Sequence, residues 1–145
     1  LFFTMVYEGI DEVIRMAERT TLDTFHQMLA DLERDDWAAL AQHPGLGETR
    51  EHFPHVHAAF PDLRHTIESE FVNGEMLAAV VYLEGTHLGP YWGLAPTGKH
   101  VRYRLLVIDR IVDGKIVLHH AAPDFLGLFA QLGAPLRPEG VGAEA

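Results

Sequence analysis

Asp109 and His119 stand on either side of a turn signal, Asp113-Gly114, and a carboxylate meeting an imidazole is a proton-transfer device. In an apolar setting, burial raises the carboxylate's pKa toward neutrality while an imidazolium partner lowers it. Whether the two meet depends on the turn. If Asp113-Gly114 belongs to a three-residue loop with Gly114 left-handed, positions 105, 107 and 109 share a face with 117, 119 and 121. Tyr103 then lies further along that face, and Arg102, Arg104 and Arg110 all point outward, which favours this phase. A strict two-residue turn instead puts His119 on the face opposite Asp109. On the first reading Asp109 takes a proton from a carbon flanked by carbonyls, or positions a water, and His119 orients it or returns the proton. A structural His–Asp bond inside a sheet is the alternative.

Other side chains admit chemistry with less force. An Asn73-Gly74 hairpin pairs His65 with Tyr82 on the face of Ile67 and Val80. Both could bond a ligand oxygen there, or form a satisfied polar pair at the end of a core. Tyr91 and Trp92 sit in a Gly/Pro-rich stretch, residues 85–98, where they could cover an aromatic ligand or pack beneath the loop. His52, His55 and His57 suggest a metal, but only the first two share a helical face and Pro54 disturbs the geometry. A solvated helix face is the expectation, with no metal site. Asp35-Asp36 and Asp124 read as helix caps.

The elements that must position these groups follow from periodicity. Val6, Ile10, Val13, Ile14 and Ala17 mark an amphipathic helix, and Thr20 or Thr21 is placed to cap a second carrying Leu22, Phe25, Met28, Leu29 and Leu32. A third helical segment, roughly 48–60, contains Pro54, which predicts a kink or a split. From Asp62 the period becomes two, with Leu63, His65, Ile67, Ser69 and Phe71 on one face. The next strand, 76–84, is apolar on both faces, which suggests a second layer or a dimer contact. Strands at about 100–111 and 115–122 and a short helix at 125–132 complete the pattern. Helices first and an antiparallel meander afterwards predict an α+β domain over residues 1–134, with 135–145 as a flexible tail.

Composition limits the partners. The 145 residues are 48% hydrophobic and 22% charged, enough to bury one core. No cysteine is present, which removes thiol nucleophiles, thiolate metal sites and disulfides. A formal net charge of −10 disfavours nucleic acid and anionic membranes as partners. Ten histidines make that charge fall steeply between about pH 7 and 5.5. Glu8, Asp11 and Glu12 follow the apolar opening too soon for a signal peptide, and the lack of cysteine makes a cytoplasmic protein the expectation.

Three stretches resemble the SnoaL-like family of polyketide and ester cyclases: PGLGETREHFPHVHAAFPDLRHTI (44–67), GTHLGPYWGLAPTGKHV (85–101) and DRIVDGKIVLHHAAPDFLGLFAQLG (109–133). With TTLDTFHQMLA they span roughly residues 20–134 in the family's order. The resemblance implies a cone-shaped α+β barrel of the nuclear-transport-factor-2 type, its curled sheet covered by N-terminal helices around an apolar cavity. It also implies a homodimer formed through outer sheet faces, and aldol ring closure with no cofactor. His87 matches the family's T-H-x-G position; it is a candidate ligand contact and reads mainly as loop scaffolding that holds residues 85–98 over the cavity mouth. The resemblance places an acid/base carboxylate after the His119-His120 pair, where this chain has Ala121. Three readings stay open: a cofactor-independent cyclase or isomerase acting on an apolar polyketide-like carbonyl compound, a binding or accessory protein of the same fold, and an epoxide-opening enzyme.

Overall fold

In the computed structural model, which describes residues 2–134 with side chains from residue 5 onward, helices precede a four-stranded sheet. The expected tail, 135–145, lies outside the described residues. The order is α1 (Phe2–Glu33), α2 (Trp37–Leu40), a 3₁₀ turn (Pro44–Leu46), α3 (Gly47–Ala59), β1 (Arg64–Asn73), β2 (Met76–Thr86), β3 (His100–Val112), β4 (Lys115–Pro123) and α4 (Phe125–Leu132). The strands form an antiparallel meander, β1-β2-β3-β4. This is the α+β arrangement that the patterning predicts; the sheet is curled but open, with β1 and β4 as its edges.

Two helix expectations change. The two N-terminal helices are one, because no Gly or Pro interrupts the join and neither threonine caps. The Thr20 and Thr21 hydroxyls instead donate back to the Met16 and Ala17 carbonyls, one helical turn earlier. Thr21 also reaches the Gly74 carbonyl, at 2.8 Å, and so fastens α1 to the β1–β2 turn. The α3 helix runs unbroken through Pro54. Its buried side chains Phe53, Val56 and Ala59 hold it where the missing N–H alone would favour a break. Asp36 and Asp124 do cap, accepting from Ala39 N–H at 3.0 Å and Gly127 N–H at 2.8 Å.

The core lies between the concave sheet face and the helices. Leu77, Ala79, Val81 and Leu83 of β2 and Val101, Tyr103 and Val107 of β3 meet Phe25, Met28 and Leu32 of α1 and Phe53 and Val56 of α3. Each large apolar side chain removed from water contributes about 1.5–3 kcal/mol, so this layer supplies the driving force for closure.

The register of β1 differs from expectation. The turn is centred on Gly74-Glu75, pairing Asn73 with Met76, and a bulge between Ile67 and Ser69 shifts the ladder by one residue. Ile67 and His65 therefore face inward while Phe71 is turned out and 68% exposed.

Candidate active site

The β3–β4 hairpin closes with Val112 opposite Lys115, a two-residue turn whose central residues both take positive φ (Asp113 49°, Gly114 71°). That is the type I′ geometry, which matches the strand twist. Alone it would pair Asp109 with the wrong face of β4. Between Arg110 and Ile111 the ladder shifts: Ile111 pairs with Ile116 but Arg110 with Leu118, leaving Val117 bulged. Asp109 then stands directly opposite His119. The side-chain phase is the one favoured from sequence, reached by a different route.

The bulge is clamped from outside the hairpin. The Ile116 N–H donates to His43 Nδ1 at 3.1 Å. The 3₁₀ turn lies against β4 so closely that a Cβ on Gly45 would meet the Leu118 nitrogen at 2.7 Å.

His119 Nδ1 lies 2.6 Å from Asp109 Oδ1. Asp109 is fully buried, and its Oδ2 has no partner among the described residues. A cavity of about 660 Å³ opens beside the pair, with His119 on its wall and Asp109 behind the imidazole. With Asp109 accepting from Nδ1–H, Nε2 of the neutral ring is left as the acceptor available to a ligand. The wall is otherwise mostly apolar, with Leu29, Phe53, Leu105 and Phe125 among its residues, and the volume suits a drug-sized molecule.

The remaining sites predicted from sequence divide. His65 is on the wall, as predicted; its backbone N–H donates to Glu33 Oε1 at 2.6 Å, and its Nδ1 lies 3.2 Å from the same oxygen. Burial holds its pKa below the ordinary histidine value, against the opposing pull of Glu33. Tyr82, expected beside it, is not on the wall. The shifted β1 turn and bulge set it opposite Thr66 on the outer face, where the Arg102 guanidinium stacks on its ring at 3.5 Å and Arg104 donates to its hydroxyl at 3.0 Å. Tyr103 lines the cavity, and burial raises its pKa, so it stays a donor. No hydrogen-bond partner of its hydroxyl occurs among the described residues. Tyr91 is buried and on the wall; Trp92, at φ 47°, is 67% exposed at the mouth beside His52 and Phe125.

His87 is off the wall. It stacks on Phe60 at 5.3 Å and accepts from the Thr97 N–H at 3.2 Å, contacts that organise the loop. Burial lowers its pKa. The α3 histidines do not converge: His52 and His55 are exposed while His57 pairs with Asp35 at 2.9 Å. Among the described residues no three His, Asp or Glu are arranged to hold a metal.

Sequence reasoning missed Glu33 and His43, whose partners are remote in the chain, and left no local spacing signal for either. It also missed Glu48 and Thr49, which line the cavity from the first turn of α3. Ala121, where the resemblance implies a carboxylate, is on the cavity wall as well.

A curled antiparallel sheet, helices over its concave face and an apolar cavity walled by two carboxylate-backed imidazoles, His119 and His65, define the class: an α+β cone with an internal pocket. The chain belongs to the SnoaL-like polyketide cyclase family, whose profile matches residues 4–132. It is 40% identical over 84 residues to the aklanonic acid methyl ester cyclase DnrD of Streptomyces peucetius, 57% of this chain and 58% of that protein. Nogalonic acid methyl ester cyclase of Streptomyces nogalater is 40% identical over 62 residues, 43% of this chain and 46% of that one. The matches thus span about half the length of these curated relatives. The structure of AclR from Streptomyces galilaeus superposes with a TM-score of 0.74 at 25% identity, covering 84% of this chain and 87% of that chain. No helix among the described residues is long and apolar enough to cross a membrane.

Proposed function

We propose that this protein is a cofactor-independent cyclase that moves a proton on an apolar carbonyl compound held in the cavity. His119 is the base, and Asp109 is the residue that positions it. One observation carries the reading: the 2.6 Å pair with His119 on the wall and Asp109 fully buried behind it. Burial exchanges the roles expected from sequence, because the atom within reach of a ligand belongs to the imidazole.

In this reading His119 Nε2 takes a proton from a carbon made acidic by flanking carbonyls. The carbanion adds to an internal carbonyl, closing a C–C bond, and the imidazolium returns the proton to the new alkoxide. The relatives named for aklanonic and nogalonic acid methyl esters make a polyketide ester the first substrate class to try. Aromatic side chains at Phe53, Tyr91 and Trp92 suit a planar ligand. His119 supplies the base that Ala121 cannot. Glu48 is the one carboxylate on the described cavity wall, so an epoxide opening that needs two facing carboxylates has no support.

Turnover of polyketide methyl esters and epoxides by wild type, His119→Asn and Asp109→Asn tests this. Wild-type ester turnover that disappears in His119→Asn is the expected result. Saturable binding by all three with no turnover would mean a binding protein instead.

We also propose a homodimer through the outer sheet face, where Phe71, Met76, Leu106 and Ile108 are exposed on adjacent strands. Ile108→Glu is expected to give a monomer by light scattering; an unchanged mass would move the contact elsewhere.

A further inference from the structure

We propose that the cavity reads its ligand at two ends, the Tyr103 and Tyr91 hydroxyls forming a donor subsite for a carbonyl oxygen remote from the carbon that reacts at His119. The ligand is then elongated, with a ketone, quinone or ester carbonyl at its far end. This deepens the cyclase reading and rests on His119 being the base.

Tyr103 and His119 stand at opposite ends of one wall. His119 pairs with Asp109 of β3, and Tyr103 precedes Asp109 on the same face of that strand. At about 3.3 Å per residue the two β3 positions are roughly 20 Å apart along the strand, a span shortened across the concave face by the curl and by the side chains. A ligand that touches both ends must be longer than a single ring.

The Tyr103 end is built by different elements. Strand β4 stops at Pro123, opposite Leu105, so beside Tyr103 the edge of β3 is taken over by α4. Gln131 of α4 accepts from the Arg102 N–H and donates to the Arg102 carbonyl, both at 2.9 Å, as a neighbouring strand would. Phe129 of the same helix stacks on Tyr91 at 6.4 Å, and Phe60 meets Tyr91 edge-on at 5.5 Å. Both tyrosines line the cavity and are held almost out of water, Tyr91 at 3% and Tyr103 at 4% exposure.

Phenylalanine would fill the place of Tyr103 equally well, so the hydroxyl is the feature to explain. It has no partner among the described residues, and an unmet hydroxyl in an apolar setting is a cost that a ligand acceptor removes. Nor is it sealed in the protein. The sealed, unpartnered side-chain atoms among the described residues are His57 Nε2, His65 Nε2, His87 Nε2 and Asp109 Oδ2. The Tyr103 oxygen is therefore open to the cavity. Burial raises the pKa of both phenols, and the nearness of Tyr91 adds to the rise at Tyr103, so both stay protonated and donate. A carbonyl oxygen has two lone pairs with which to meet two donors. His119 Nε2 is an acceptor, so the cavity is polarised: an acceptor at the reacting end, donors at the far end and apolar walls between.

The probes are 6-acetyl-2-naphthol and 6-ethyl-2-naphthol, alike in shape and differing by one carbonyl oxygen, with Kd measured by calorimetry. Wild type should bind the acetyl compound about 5–10-fold more tightly, the worth of a hydrogen bond or a little more. Tyr103→Phe should remove most of that preference by weakening the acetyl compound alone, and an unchanged Kd for the ethyl compound shows the variant folded. Tyr91→Phe should give a smaller loss in the same sense. His119→Asn should leave the preference intact, because both probes share the hydroxyl. Should Tyr103→Phe fail to fold, the infrared carbonyl stretch of the acetyl probe decides on wild type, where binding should move it to lower frequency. Probes that do not bind, equal affinity for both, a Tyr103→Phe variant that weakens both alike, a preference lost in His119→Asn, or an unmoved stretch overturns the subsite. A preference without any ester turnover would keep the subsite and sink the cyclase reading. Turnover without a preference would do the reverse.

Discussion

Asp109 of β3 and His119 of β4 are direct cross-strand neighbours joined at 2.6 Å, although the two-residue turn between their strands would by itself place them on opposite faces. The extra residue at Val117 reverses that outcome, and His43 and Gly45 hold the bulge in place. The candidate site therefore depends on packing outside the Asp109–His119 pair itself.

The pair should act as a unit. His119→Asn is expected to lower kcat by about 10²–10⁴-fold. Asp109→Asn should lower kcat while leaving KM within about twofold, because it misplaces the base without altering the wall. The double variant should be no worse than His119→Asn alone. Steady-state kinetics with near-ultraviolet circular dichroism as a check on folding would decide it; additive losses would mean independent roles.

Gly45→Ala should be costly where Gly47→Ala is harmless. A methyl at position 45 would press on the β4 backbone and push the 3₁₀ turn off the bulge, costing about 1–3 kcal/mol and reducing kcat. At position 47, with open space and a helical φ of −55°, alanine should gain about 0.4–1 kcal/mol. Thermal melts of the two variants make the comparison.

The two tyrosines should separate. Tyr103→Phe removes a cavity donor and should raise KM by roughly 5–10-fold, the worth of one hydrogen bond of about 1 kcal/mol or a little more. Tyr82→Phe, on the outer face, should leave kcat/KM unchanged. Equal effects would place Tyr82 nearer the ligand than its register allows.

Acidification should destabilise the protein through histidines held neutral. Burial is the largest cause lowering the pKa of His43, His65 and His87. A histidine whose folded pKa is lowered binds its proton first in the unfolded chain. Stability is thus full above the unfolded value of about 6.5 and falls as pH drops from there toward the folded pKa. Each such group contributes a slope of at most about 1.4 kcal/mol per pH unit. Urea unfolding between pH 7.5 and 5.5 should show the fall, and His65→Asn should flatten it. A flat profile would mean that these rings charge as easily folded as unfolded.

Much of the architecture was legible in the chain because period and turn chemistry act locally. The change of period after Asp62, the Asp113-Gly114 turn and the Asp36 and Asp124 caps all correspond to observed elements. The α1 join misled because Thr20 and Thr21 can bond forward as caps or backward into their own helix, and the sequence pattern is the same for both. The SnoaL-like motifs identified the family, whose profile covers nearly all the described chain.

What the sequence by itself determined was the α+β order of elements, the family, and the presence of an acid, an imidazole and several aromatics on neighbouring strands. Tertiary structure alone decided which of them share a wall. One bulge at Val117 brought His119 to Asp109, and another near Glu68, with a displaced turn, took Tyr82 away from His65. Side chains in a strand alternate with a period of two, so a single inserted residue reverses every orientation beyond it. The energy that settles such an insertion comes from distant packing, here the 3₁₀ turn against β4, and no local spacing records it.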